Sequence, residues 1–365
     1  MITLRNVSKQ FPGSGGYAVK DFSLEIAEGE TVVLVGPSGS GKTTILRMIN
    51  RLIEPTSGTI EVDGVDVMSI EPVELRRRMG YVIQSIGLMP HRTVAQNIGM
   101  VCDLVGWPAE RIRARVAELA AMLELDPELL ERYPSELSGG QRQRVGVARA
   151  LGVDPPALLM DEPFGAVDPI VRARLQDQLL NLQSQIRKTI VLVTHDIDEA
   201  MKLGDRIAII NRGGVLEQYA SPEEILRAPA SPFVGDFIGA ERGLKRLALM
   251  AVKSVDTEAG PLVNPEAEVP AALEVMRSHG TDWAAVVDGE HLLGWVDAKG
   301  LSGHATVGDV DPRPFSAVVS PTSSLREALD AIVINKTHVA AVVDDGRYCG
   351  LLTLERVAQE LTAAS

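Results

Sequence analysis

Cysteine is nearly absent from this chain: two residues in 365, Cys102 and Cys349, lie far apart and in no metal-ligand spacing. Two such thiols make no disulfide framework and fit a reducing compartment. No stretch approaches the ~18 consecutive apolar residues that a membrane-spanning helix needs. Any contact with a bilayer is therefore expected to run through a partner or a surface. Basic charge is also in short supply. The formal net charge is -13, whereas a binder of duplex nucleic acid usually presents a basic face. The opening residues, Met1-Ile2-Thr3-Leu4-Arg5, read as a strand rather than as a targeting leader. A cytoplasmic protein with no nucleic-acid partner is expected.

What the sequence does contain is ordinary globular material, 45% hydrophobic and 23% charged, long enough for two or three domains. Residues 1–240 alternate strand and helix signals. Thr31-Val32-Val33-Leu34-Val35 is an apolar run that stops at Gly36, and Lys42 to Leu52 then reads as a helix. Ala157-Leu158-Leu159-Met160 and Thr189-Ile190-Val191-Leu192-Val193-Thr194 are two more buried strands, each followed by polar residues. Such alternation implies a largely parallel sheet with covered faces, and ligands on such sheets bind beyond the strand carboxyl ends. Ala109 to Leu125 reads as a helix with Ile112, Val116, Leu119, Ala120 and Leu123 on one face, part of an inserted helical subdomain. Gly239-Ala240-Glu241-Arg242-Gly243 reads as a hinge.

Beyond it the chain repeats itself at an offset of 56 residues. Thr281-Asp282-Trp283-Ala284-Ala285-Val286-Val287-Asp288 aligns with Thr337-His338-Val339-Ala340-Ala341-Val342-Val343-Asp344, Gly294 with Gly350, and Ala272-Leu273 with Ala328-Leu329. Each copy reads helix, strand, turn, strand, helix. A unit this small buries its apolar face poorly, so the two should pack together. Residues 241–365 carry 18 acidic and 11 basic side chains, which makes neither part of the chain a polyanion binder.

Three stretches carry chemistry. Gly36-Pro37-Ser38-Gly39-Ser40-Gly41-Lys42-Thr43-Thr44 follows a strand and opens a helix, the pattern of a phosphate-binding loop. Its glycines let several backbone N–H groups face one anion, and the helix adds the positive end of its dipole. Lys42 is expected to reach the β- and γ-phosphates and Thr43 to ligate Mg²⁺. The strand ending in Asp161-Glu162 offers a second Mg²⁺ ligand, Asp161, and a general base, Glu162. His195, just past the third buried strand, is placed to meet the γ-phosphate. Gln84, past Gly80-Tyr81-Val82-Ile83, is placed to sense Mg²⁺ and the attacking water. The third stretch is Leu137-Ser138-Gly139-Gly140-Gln141, which opens a helix (Arg142 to Ala150) and so makes a second anion site. One chain has no need of two cradles for one γ-phosphate, so this one is expected to close over ATP held by another chain.

In this order these motifs resemble an ABC transporter nucleotide-binding subunit over residues 1–240. The resemblance implies a P-loop NTPase of ABC type, a RecA-like α/β core plus a helical subdomain. It also implies that Asp168, in Gly165-Ala166-Val167-Asp168, serves communication between the two ATP sites. It places Phe11 as the aromatic stacked on adenine, with Tyr17 as the competing candidate. The stretches 50–58, 74–84 and 160–170 look like those of glycine betaine/carnitine/choline importers. The repeat looks like a tandem CBS (α+β) pair, over 250–310 and 311–365, as ATPases of that group often carry. CBS pairs that bind adenosine nucleotides often end each repeat in Ser/Thr-x-x-Asp. Asp297-Ala298-Lys299-Gly300 and Thr353-Leu354-Glu355-Arg356 both lack that aspartate. Dimerisation, ionic-strength sensing at an anionic membrane and cyclic dinucleotide binding remain open for the tail. A modest basic cluster, Arg242, Lys245, Arg246 and Lys253, reads as a solvated face.

The expectation for the whole is an ATPase that works with ATP and Mg²⁺ as a homodimer on the cytoplasmic face of a membrane. It would drive a permease, with a substrate-binding protein acting indirectly. Ser85 to Val94, with Leu88-Met89-Pro90-His91, is expected to touch that permease. The alternatives are the ATPase of another amino-acid-type importer, a soluble ABC ATPase acting on DNA or ribosomes, and a regulatory module without catalysis. Intact Lys42, Glu162 and His195 speak against the last.

Overall fold

The computed structural model describes residues 1–13, 15–83, 87–165, 167–239 and 241–362. The chain divides into two compact units, Met1–Ile238 and Gly239–Ser365. Among the described residues no helix is long and apolar enough to cross a membrane.

The first unit holds two sheets. An antiparallel one, in the order β2-β1-β4-β5, is built from β1 (Ile2–Gln10), β2 (Tyr17–Ile26), β4 (Ser57–Val62) and β5 (Val65–Asp66). The larger sheet runs β10-β9-β3-β8-β7-β6, from β3 (Thr31–Val35), β6 (Gly80–Val82), β7 (Ala157–Asp161), β8 (Thr189–Thr194), β9 (Arg206–Asn211) and β10 (Val215–Ala220). All its pairings are parallel except β9 with β10 at the edge. Every residue of β3, β7 and β8 is buried, because side chains alternate between two covered faces. Val33 and Val35 join a core with the helical subdomain, while Val32 and Leu34 join Ile2, Leu4 and Phe22 of the antiparallel sheet.

Three helices differ from their expected bounds, each for a local reason. The one after the phosphate loop is Lys42–Ile49, because Asn50 caps it and Arg51 turns left-handed at φ 46°. The helix from Ala109 ends at Met122, because Glu124 takes φ 52°. Its residues Val116, Leu119, Ala120 and Leu123 are buried, and Ile112 only partly. The helix at the serine-glycine turn starts earlier, spanning Gly139–Leu151 with Ser138 as its cap. There the hydroxyl of Ser138 accepts from the Gln141 N–H, and the Gln141 side-chain oxygen accepts from the Ser138 N–H.

The second unit holds one six-stranded sheet, β11-β12-β13-β16-β15-β14. Its strands are β11 (Leu262–Val263), β12 (Trp283–Asp288), β13 (His291–Asp297), β14 (Val318–Val319), β15 (Val339–Asp344) and β16 (Arg347–Thr353). The 56-residue offset is carried into the register. Trp283 pairs Asp297 as Val339 pairs Thr353, and the irregularity after Val286 recurs after Val342. The seam joins His291 to Arg347, themselves equivalent positions.

The two copies are not identical, contrary to the uniform pattern read from the sequence. The second ends in a helix, Leu354–Thr362, whereas residues 298–303 of the first form turns. There Asp297 accepts from the Gly300 N–H at 2.6 Å, and Gly303 takes φ 89°. The helix Arg242–Leu249, which precedes the first copy, packs into the second copy's core. Leu247, Val252 and Val255 cluster with Ala317, Leu325, Ile332 and Val357. Arg246 of the basic cluster donates to the Glu360 carbonyl at 2.9 Å. The segment read as a hinge includes Ala240, which lies outside the described residues.

Leu247 is fully buried. Leu247→Ala is expected to destabilise the second unit by ~2–4 kcal/mol, the usual loss for a core leucine. Urea unfolding followed by tryptophan fluorescence checks this. An unchanged midpoint would show that the preceding helix is not part of that core.

Candidate functional site

The parallel sheet gathers the site. In the strand order, β3, β8 and β7 are neighbours. Their carboxyl ends deliver, side by side, the loop Gly36–Thr44, His195 and the pair Asp161-Glu162. The register matches this, with Val35 opposite Thr194 and Asp161 opposite Val193. One cavity of about 480 Å³ is lined by Ser38, Gly39, Ser40, Gly41, Lys42, Thr43, Thr44, Glu162 and His195.

The loop's shape is set by close approach. Gly41 takes φ 91°, and a Cβ there would stand 2.6 Å from the Ala18 carbonyl oxygen. A Cβ on Gly36 would overlap the carbonyl of Ile210. No other residue type fits at these two positions. The Lys42 ammonium is buried beneath the loop and donates to the carbonyls of Gly36 at 2.8 Å and Pro37 at 2.9 Å, and to Ser40 Oγ at 3.3 Å. Burial lowers the pKa of Lys42, and the negative charges of Glu162 and Asp161 oppose that shift.

Asp161 sits below the loop. It accepts from the Thr43 hydroxyl at 2.8 Å and lies 3.7 Å from the Arg47 guanidinium. Glu162 turns left-handed at φ 45°, its N–H donating to the Val193 carbonyl at 2.9 Å. That strained turn lifts the carboxylate out of the sheet toward the cavity. His195 Nδ1 stands 3.4 Å from Glu162 Oε2.

Other sequence candidates lie elsewhere. Ser138, Gly139, Gly140 and Gln141 belong to a helix N-terminus and are not among the residues lining this cavity. Asp168 caps the helix Pro169–Ile186, accepting from the Ile170 N–H at 3.0 Å. Phe11 and Tyr17 are both exposed, and neither lines the cavity. Lys9 stands 5.3 Å from the Phe11 ring centroid. Gln84 lies outside the described residues, as do Ser85 and Ile86 of the segment assigned to a permease contact.

Residues that sequence reading passed over tie these parts together. Arg47 follows Thr43 by one helical turn, a spacing that could have marked it as a partner for Asp161. Arg172 donates to the Val167 carbonyl at 3.3 Å and lies 3.8 Å from Asp196, so it links the segment before Asp168 to the turn that carries His195. The Gln143 side chain donates to the Pro163 carbonyl, which joins the serine-capped helix to the residue after Glu162.

The family model for ABC transporters matches residues 19–165, and that for CBS domains matches residues 307–363. The chain is 45% identical to the glycine betaine/carnitine/choline transport ATP-binding protein OpuCA of Bacillus subtilis, over 97% of this chain and 94% of that one. It is 45% identical to the osmoprotectant import ATP-binding protein OsmV of Salmonella typhimurium, over 100% of this chain and 97% of that one. Among solved structures, a dimeric bacterial ABC transporter cassette superposes with a TM-score of 0.55 at 37% identity, covering 61% of this chain and 99% of that one. The same cassette in a post-hydrolysis state bound to ADP and phosphate gives 0.55 at 36% identity, covering 61% of this chain and 99% of that one.

Glu199 gives the site a pH signature. It lies four residues past His195, 6% exposed, on a helix face otherwise filled by Ala200, Met201 and Leu203. Thr194 Oγ1 donates to its Oε2 at 3.1 Å, and among the described residues Oε1 has no partner. Burial raises its pKa from 4.5 to about 7, partly offset by the Thr194 bond. The folded state thus holds a proton that the unfolded chain releases near 4.5. This contribution to stability is full below pH 4.5 and is lost as pH rises through about 7. Relative to Glu199→Gln, the parent chain should lose up to ~3 kcal/mol across that window. Denaturant unfolding at several pH values measures the difference, and parallel profiles for the two proteins would refute it.

Proposed function

This chain belongs to the ATP-binding subunits of ABC transporters, and from that membership we propose that two copies close on two ATP molecules to drive a permease importing quaternary-amine osmoprotectants. The cargo class, glycine betaine, carnitine, choline and proline betaine, is supported by likeness over nearly the whole chain to proteins named for such cargos. The observation that carries the mechanism is the shared cavity: Lys42, Thr43, Glu162 and His195 line it together.

The chain binds and hydrolyses ATP. In the proposed site the loop amides from Gly36 to Thr44 and the ammonium of Lys42 hold the β- and γ-phosphates. Glu162 takes a proton from the attacking water, and His195 orients Glu162 and meets the γ-phosphate. Thr43 and Asp161, two oxygen donors already 2.8 Å apart, are a fitting pair for Mg²⁺, which prefers one or two protein oxygens beside substrate phosphates. Held there, Mg²⁺ would supply positive charge that offsets the negative charge of the phosphates. Gln84 is assigned as a further ligand and water sensor. Phe11 or Tyr17 stacks on adenine.

The cavity has no serine-glycine turn of its own, so the twin's Ser138-Gly139-Gly140-Gln141 completes it. The Gly139 and Gly140 N–H groups are first-turn amides without intrahelical partners, free to face a γ-phosphate. Asp168, at the head of its helix, lies at the junction of the two sites. ATP binding favours the closed pair, and hydrolysis adds charge repulsion and breaks the cross-subunit contacts.

A groove of about 850 Å³ in the helical subdomain suits the permease. Ala95, Ile112, Val116 and Leu130 give it an apolar floor, and Arg92 and Glu131 line it too. An amphipathic helix end fits such a groove. The chain then sits at the cytoplasmic face of the membrane, and a substrate-binding protein acts through the permease.

Glu162→Gln should lower hydrolysis by about 10²–10⁴-fold, the usual share of a general base, and retain ATP. Unchanged hydrolysis would remove Glu162 from the mechanism. In that variant, with Cys349→Ser, paired Gly39→Cys and Ser138→Cys substitutions should form an inter-subunit disulfide only with ATP. Its absence while ATP is bound would rule out the sandwich. Uptake of labelled choline, glycine betaine and carnitine, with and without the chain at low and high osmolarity, tests the cargo. Equal uptake in both would exclude it.

A further inference from the structure

The second unit contains four aromatic residues, and three of them, Trp283, Trp295 and Phe315, line one cleft of about 230 Å³. The strands fix their placement. Trp295 pairs with Ala285, two residues from Trp283, so the two indoles are diagonal neighbours on one sheet face. Phe315 meets Trp283 edge-on, with ring centroids 5.9 Å apart and planes at 78°. All three rings are partly buried, so the cleft exists before any ligand arrives. Trp295 already has a cation near its face: the Arg313 guanidinium lies 5.1 Å from its centroid and is neutralised by Asp297 at 3.0 Å.

Beside this cleft is a second of about 580 Å³, which shares Trp283, His338 and Val339 with the first. It is lined by the carboxylates Glu258 and Glu355 and by no lysine or arginine. An anionic nucleotide would meet two carboxylates here, with the imidazoles of His279 and His338 but no lysine or arginine. A cation would meet aromatic rings, whose quadrupole attracts it, and the carboxylates of the adjoining cleft. The lining of the aromatic part is mostly apolar, with few acceptors for a hydrogen-bonding ammonium. A primary amine entering it would leave N–H groups unpaired, at a cost in free energy. A quaternary ammonium has no N–H to leave unpaired. At ~30 Å³ per water, 230 Å³ has room for about eight waters, which suits a ligand the size of choline.

We propose that this aromatic cleft of the second unit, with the Glu258 and Glu355 carboxylates in the cleft beside it, binds a quaternary ammonium compound. Its link to transport rests on the cargo reading above: cargo delivered to the cytoplasmic side would then report to the ATPase subunit that drives its entry.

The test uses the full chain with Trp107→Phe, so that fluorescence reports Trp283 and Trp295 alone. Choline should perturb it saturably. Its uncharged isostere 3,3-dimethylbutanol should bind at least tenfold more weakly, and AMP should not displace choline. By calorimetry, Phe315→Ala and, separately, Glu355→Gln should each weaken choline binding, the former at least tenfold. Both should keep the parent's cooperative thermal transition and ATP hydrolysis, and if Phe315→Ala fails to fold, Glu355→Gln carries the comparison. No choline binding, equal binding of the isostere, displacement by AMP, or full affinity in folded variants would each overturn the proposal. Failed binding leaves the cargo reading standing, and failed uptake leaves a positive binding result standing.

Discussion

The Lys42 ammonium is held by the carbonyls of Gly36 and Pro37 under a loop that runs so close to Ala18 and Ile210 that a Cβ at Gly41 or Gly36 would overlap their carbonyls. That close packing is the constraint on which the site depends. It demands glycine at positions 36 and 41, turns backbone N–H groups toward one point, and puts the loop at the end of a strand covered on both faces. Because β3 is buried between β8 and β9, the loop cannot drift relative to Glu162 and His195. Sheet register thus does the work that hydrogen bonds do in a looser site.

Around this point the polar groups interlock. Thr43 and Arg47, one helical turn apart, both reach Asp161. Arg172 spans from the segment before Asp168 to the turn after His195, and Gln143 spans from the serine-capped helix to the residue after Glu162. These bonds join the elements assigned above to the twin's contact to the elements assigned above to the phosphates. In the proposed sandwich, closure of a second copy would therefore have a physical route to Glu162, through side chains with fixed partners.

The second unit solves a different problem. Each 56-residue copy is too small to bury its apolar face well by itself, and joining the copies at His291 and Arg347 makes one continuous sheet. The helix Arg242–Leu249 adds to the second copy's core. The indoles of β12 and β13 are partly buried beside Phe315, in a cleft whose neighbour is lined by Glu258 and Glu355.

The sequence alone determined the phosphate loop, the buried strands, the carboxylate pair and the internal repeat. These are local: glycine spacing, apolar runs and a fixed offset are written in consecutive residues. It also showed both serine-glycine and phosphate-loop cradles, because each sits at a strand or helix end that neighbouring residues announce. It could not show that Arg47 meets Asp161, that Arg172 bridges two loops, or that Glu199 is buried without a partner for one oxygen. Nor did it reveal that the helix before the first repeat packs with the second, or that the first repeat ends in turns where the second has a helix. Those features depend on which faces meet after the chain has folded, and residues far apart in sequence decide that through packing and register.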